Sequence, residues 1–170
     1  MSHDNSLLLL QDAWRECERH IYHLFHAMQS IRKFMPLTEK SYINLTDEEI
    51  QDIDQFILRY TKLQDTMGNR LFPAILNYLN EPFEERPMLD KLNRLEKLGY
   101  INNIENWQVI RTIRNKFADD YPDDPDKNVA HLNVALESIS DLYSMLNTIN
   151  KQLKDSYPLL ELGKDLPKYP

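Results

Sequence analysis

Glycine is scarce in this chain, with 3 in 170 residues. Sheet proteins with many tight turns need more, so the shortage favours helices joined by short links. Cysteine is scarcer still: Cys17 stands alone. That excludes an intramolecular disulfide and fits a reducing compartment, so the expected location is the cytoplasm. Long apolar runs are missing too. The longest, "LLLL" at 7–10, is followed at once by "QDAWRECER". It falls far short of the ~20 residues a membrane helix needs and lacks the basic start of a signal peptide. Positive charge is in deficit: 20 Lys and Arg stand against 27 Asp and Glu, a net −7. The overall field of such a chain does not draw nucleic acid.

What the chain does have is apolar residues, 42% of the total. At this length they suffice for one domain with a sizeable core. Their spacing is helical. Leu10, Trp14, Cys17, Ile21, Leu24, Met28 and Ile31 recur at three- and four-residue steps and predict a helix over about 6–35, ended by Pro36. After the polar link "PLTEKSYINL", Thr46 and Glu49 form the pattern of a capping box. The helix they open carries Ile50, Ile53, Phe56, Ile57, Tyr60, Leu63 and Met67, with a kink or break expected at "GNRLFP" because Pro73 has no amide proton. A third helix runs from Pro87 to a stop at Gly99, with Leu89, Leu92, Leu95 and Leu98 facing the core. Asn103 caps a fourth, which Pro122 closes, and Asp124 with Pro125 starts a fifth, reaching about Leu153. The expected fold is all-α: an antiparallel bundle of about five helices over 1–155, followed by a proline-rich arm over 156–170.

Three groups of residues invite a functional reading. His20, His23 and His26 in "RHIYHLFH" are three apart. Each step turns a helix by about 300°, so the three drift round its surface and converge poorly on a metal. Asp119, Asp120, Asp123, Asp124 and Asp126 form an acid run. Its spacing is not that of a calcium loop, and no glycine supplies the sharp turn, so a capping loop is the simpler expectation. No metal and no cofactor is expected. Third, on the fourth helix Val109, Ile110, Ile113 and Phe117 cover one arc. Arg111, Arg114, Asn115 and Ala118 cover the next, with Tyr121 at the border. Two guanidinium groups beside a small residue suit phosphate oxygens, and Asn115 would fix an orientation. The same arginines would equally suit ion pairs with acids of neighbouring helices.

The stretch "RLEKLGYI…NWQVIRTIRNKFADDYPDD" resembles the HEPN superfamily of bacteria, close to its HepT-like branch, whose motif reads like "RNxxxHxYP". Arg114, Asn115, Tyr121 and Pro122 match it, and "DTMGNRLFPAILNYL" resembles the segment that precedes it in that branch. The resemblance covers about residues 50–150. It implies a homodimer with a composite cleft, cleavage of RNA without a metal in active members, and a minimal nucleotidyltransferase as partner, for which Tyr121 would be the site of nucleotide modification. The departure is at the motif histidine, where Asp119 stands. Histidine titrates near neutrality; an aspartate, at about 3.9, does not, and its charge repels a phosphate. Arg114 is therefore expected to be paired with Asp119 or another acid across the dimer, leaving a degenerate catalytic motif. Arg111, Arg114 and Asn115 then line a disused cleft, and RNA binding is possible but disfavoured. Two alternatives stay open: an active endoribonuclease in which Asp119, or a histidine from elsewhere, His131 first, takes over as base, and a helical interaction module unrelated to RNA.

Overall fold

The computed structural model describes residues 3–118 and 124–170. All regular structure among them is helical. The elements are α1 (His3–Ile31), α2 (Glu39–Ile43), α3 (Asp47–Thr66), a π-helical turn (Met67–Leu71), α4 (Phe72–Tyr78), α5 (Met88–Lys97), α6 (Ile104–Ala118) and α7 (Pro125–Ser156). α3, the π-turn and α4 follow one another without a gap, so the expected second helix is a single rod. The five expected helices are therefore all present, with α2 added in the link that looked merely polar.

Capping explains most of the boundaries. Thr46 N–H donates to Glu49 Oε2 at 2.9 Å, and Glu49 N–H donates to Thr46 Oγ1 at 3.2 Å, which closes the box that opens α3. Thr38 and Ser41 close a second, unforeseen box, and that box makes α2. Asn103 Oδ1 accepts from Glu105 N–H at 2.8 Å at the start of α6. Asp124 Oδ1 accepts from Lys127 N–H at 3.2 Å at the start of α7, so one member of the acid run is a cap. α5 ends in a Schellman turn: Tyr100 N–H reaches back to Leu95 O while Gly99 takes φ +85°, a conformation open to glycine.

The expected break at "GNRLFP" is a widening instead. Phe72 N–H donates to Met67 O, a reach of five residues. Pro73 has no N–H to give and its ring would crowd the carbonyl of the preceding turn; one wider turn accommodates both, and the rod continues. Gly68 sits in that turn against the Trp107 ring. A Cβ there would lie 3.1 Å from Trp107 Cζ2.

Four long elements alternate in direction. His20 of α1 meets Arg59 of α3, and Glu16 meets Arg70, so α1 and the α3–α4 rod are antiparallel. Gln64 donates to Ile110 O, and Trp107 stacks on Phe72, so α6 runs back against the rod. Tyr60 meets Ser138 while Tyr78 meets Tyr157, so α7 runs with the rod and against α1. Leu10, Trp14, Tyr60, Phe56, Phe72, Leu142 and Leu146 fill the centre, each no more than 1% exposed. Some expected core positions are at the surface: Ile50, Leu89 and Val109 are exposed, while Trp107, absent from the expected arc of α6, is buried.

The arm after α7 is ordered along the α1–α7 seam. Gln11 Nε2 donates to Glu161 O, Tyr143 OH donates to Pro167 O, Leu162 is buried, and Phe25, Tyr143 and Tyr169 form an edge-on aromatic group. No helix among the described residues is long and apolar enough to cross a membrane.

Candidate functional site

The arginine strip of α6 faces the end of α3. Because the two helices are antiparallel, the turn holding Arg111 and Arg114 lies opposite Asp65. Arg114 Nε donates to Asp65 Oδ1 at 3.0 Å and its Nη2 to Oδ2 at 2.9 Å, a two-pronged pair; Arg111 Nη1 adds a third bond to Oδ1 at 3.3 Å. The side chains are partly shielded, with 25% of Arg114 and 34% of Asp65 exposed. The Arg114 hydrogen bonds, followed by the two positive charges, hold the Asp65 carboxyl below its ordinary range against the opposing effect of burial. Arg114 is raised in turn, first by its hydrogen bond to Asp65.

Arg114 was expected to pair with Asp119 or another acid across the dimer. Among the described residues its partner is Asp65, an acid of its own chain, which was the simpler alternative for these arginines. Asp119 and Tyr121, the degenerate motif position and the candidate modification site, lie outside the described residues. Asn115 is exposed on the outer side of α6, and Ala118 is exposed at its end.

Beneath the ion pair, Gln64 fixes the register of the two helices. It is fully buried, and its Nε2 donates to Ile110 O at 2.8 Å while its Oε1 has no partner among the described residues. Gln64 and Asp65 were both missed in the sequence. They are adjacent polar residues just before the π-turn, and neither breaks the apolar pattern of α3.

His131, the alternative base, lies elsewhere. It lines a cleft of about 330 Å³ with Lys116, Phe117, Ile53 and Ile57, among others, and neither Arg111 nor Arg114 lines it. Burial first, then Lys116 and Lys127, lower its pKa, with Asp124 opposing. A group so placed is a weaker base than free histidine and is aimed at a different surface.

The histidine triplet is split between core and surface. His20 is 7% exposed, His23 is half-buried and His26 is exposed. His20 Nδ1 faces Arg59 Nη1 at 3.4 Å, and its Nε2 lies 3.5 Å from Glu16 Oε1. Burial, then Arg59, Lys62 and Arg19, push its pKa down to about 4, so it is neutral at pH 7. No group of three or more His, Cys, Asp or Glu among the described residues converges as metal ligands.

These shifts predict two separate acid windows of stability. A buried histidine whose folded pKa is lowered binds fewer protons than it does unfolded, so stability is lost as pH falls from 6.5 towards about 4. Asp65, whose folded pKa is also lowered, stabilises above 3.8 and loses that contribution only below it. Urea midpoints measured across pH should fall in both windows. His20→Gln should flatten the upper one and Asp65→Asn the lower one; a His20→Gln curve parallel to that of the natural chain between pH 6.5 and 4 would refute the assignment.

Comparison of the chain with family models, with curated proteins and with solved structures returned no match in any of the three.

Proposed function

We propose that this chain is a HEPN-fold protein of the HepT-like kind with a degenerate catalytic motif, part of a toxin–antitoxin type pair. It acts by binding, as a homodimer and as partner or substrate of a minimal nucleotidyltransferase, and does not cut RNA. The observation that carries this reading is the clamp on Arg114. Asp65 takes two of its donors and one of Arg111, so the motif arginine is already engaged within the chain. Two guanidinium charges against one carboxylate leave a single positive charge at this place. The motif then supplies a second carboxylate, Asp119, where a titratable imidazole would be needed. A motif so composed lacks the imidazole that would carry a proton near pH 7, and the engaged arginines suit a contact surface better than a phosphate cleft.

The test is a ribonuclease assay on the natural chain with a chelator present, beside its mass in solution. The expected result is intact RNA and a dimer. Metal-free cleavage by the natural chain overturns the inert reading, and a monomer at assay concentrations removes the composite cleft on which the dimer rests.

A further inference from the structure

The seam between α1 and α3 contains a cation without a counter-ion among the described residues. Arg59 is half-buried, and none of the ion pairs among the described residues includes it. Its Nη1 donates to His20 Nδ1, while its Nε is buried and has no hydrogen-bond partner among those residues. The nearby acid is spoken for: Glu16 Oε1 accepts from Thr66 Oγ1 and faces His20 Nε2, and Glu16 Oε2 is held by Arg70. Neutral His20, with its proton on Nε2, satisfies Glu16 on one side and Arg59 on the other. The imidazole thus holds the guanidinium in place without neutralising it. A partly desolvated charge left in this way is costly unless an anion completes it.

The surroundings add more of the same sign. Lys62, one turn further along α3, and Arg19 of α1 both act on His20, and neither has an ion pair among the described residues. His23 of α1 is half-exposed near Arg59 and Arg19, which lower its pKa after burial. In a chain of net −7, three uncompensated cations around one imidazole mark a local exception.

We propose that Arg59, Lys62, Arg19 and His23 form a binding site for a phosphoryl oxyanion on the α1–α3 seam. A carboxylate would match the planar fork of Arg59 but leave two cations unmatched. A phosphoryl group offers three oxygens and up to two charges. The ligand is a free phosphate ester or pyrophosphate, or the backbone of a single-stranded oligonucleotide, which shares that chemistry. The site is independent of the α6 arginines and of the HEPN reading.

The experiment follows the imidazole resonances by NMR through a pH titration, with and without millimolar pyrophosphate, at matched ionic strength. An anion beside His23 favours its charged form, so its pKa rises, while His3 and His131 do not move. Lys62→Gln, at an exposed position, weakens the apparent affinity roughly tenfold or more, and Arg59→Gln abolishes the effect. A single-stranded oligouridylate is the second probe. The same His23 shift with it shows that the site reads a phosphodiester backbone, and a shift with pyrophosphate alone shows a site for the free anion. The proposal is overturned if His23 is unmoved by both probes, if all the histidines shift together, or if the shift survives Lys62→Gln unchanged. That last variant keeps the test decisive should Arg59→Gln fail to fold.

Discussion

On the proposed HEPN reading, Asp119→His is expected to raise RNA cleavage by roughly 10²–10⁴-fold over the natural protein, the range that a placed general base supplies. Asp119 brings two defects into the motif together. One is the missing proton carrier; the other is a surplus negative charge. Asp65→Asn removes a negative charge from Arg111 and Arg114 without supplying a proton carrier. It should therefore leave RNA intact while it loosens Arg111 and Arg114. If charge alone silenced the site, Asp65→Asn would gain activity, and that outcome would sink the account. Combining the two substitutions goes further. The two-pronged bond from Arg114 to Asp65 fixes the guanidinium plane and leaves the Nη1 edge outside that pair. Asp65 occupies that fork, so releasing it frees both prongs for a phosphate, although they must then be ordered at the moment of binding. The double variant should cleave at least as fast as Asp119→His alone. Growth arrest on expression is the parallel readout, and silence from all three variants would favour the plain interaction module.

The parts of this structure that could be read from the sequence are those set by local chemistry. Thr46 with Glu49, Asn103, Asp124 with Pro125, and Gly99 each need only a few neighbouring residues to act, and all appear where their spacing places them. The long apolar faces of α1 and α7 were equally plain because a wide stripe leaves no choice of side. On α7, Ala135 and Leu142 lie on that stripe and are both fully buried. Short or two-sided helices were harder. On α6, Val109 and Trp107 are two residues apart and so lie on opposite sides, and apolarity alone favours neither. The structure buries Trp107 because the π-turn presents Gly68, a position without a side chain, for its ring to occupy. The candidate site shows the same limit. Arg111 and Arg114 were visible as a strip, but their partner was not. Asp65 is 49 residues from Arg114, and only the antiparallel register of α3 and α6 brings them together. A polar residue whose value depends on one distant contact leaves no periodic trace.

Trp107 supports that register beside Gln64, and Trp107→Ala is expected to cost about 3–5 kcal/mol, the usual range for truncating a buried aromatic ring. The ring is 3% exposed and stacks edge-on against Phe72 at 4.8 Å between centroids. Its loss leaves a cavity beside the π-turn, which has little freedom to collapse because α3 and α4 continue rigidly on either side. For a chain of this length the melting temperature should fall by roughly 6–20 °C. Gly68→Ala decides whether the ring and the turn act as one unit. Alanine is the better helix former by about 1 kcal/mol, yet its Cβ would stand 3.1 Å from Trp107 Cζ2. With Trp107 pinned by Phe72, crowding should outweigh propensity and the single variant should be less stable than the natural chain. In a Trp107→Ala background the obstacle is gone and the same substitution should stabilise. A change of sign across this double-mutant cycle is the expected result. Independent, additive effects would mean that the glycine serves the π-turn's backbone alone, and the close approach of α6 to the rod would then need another cause.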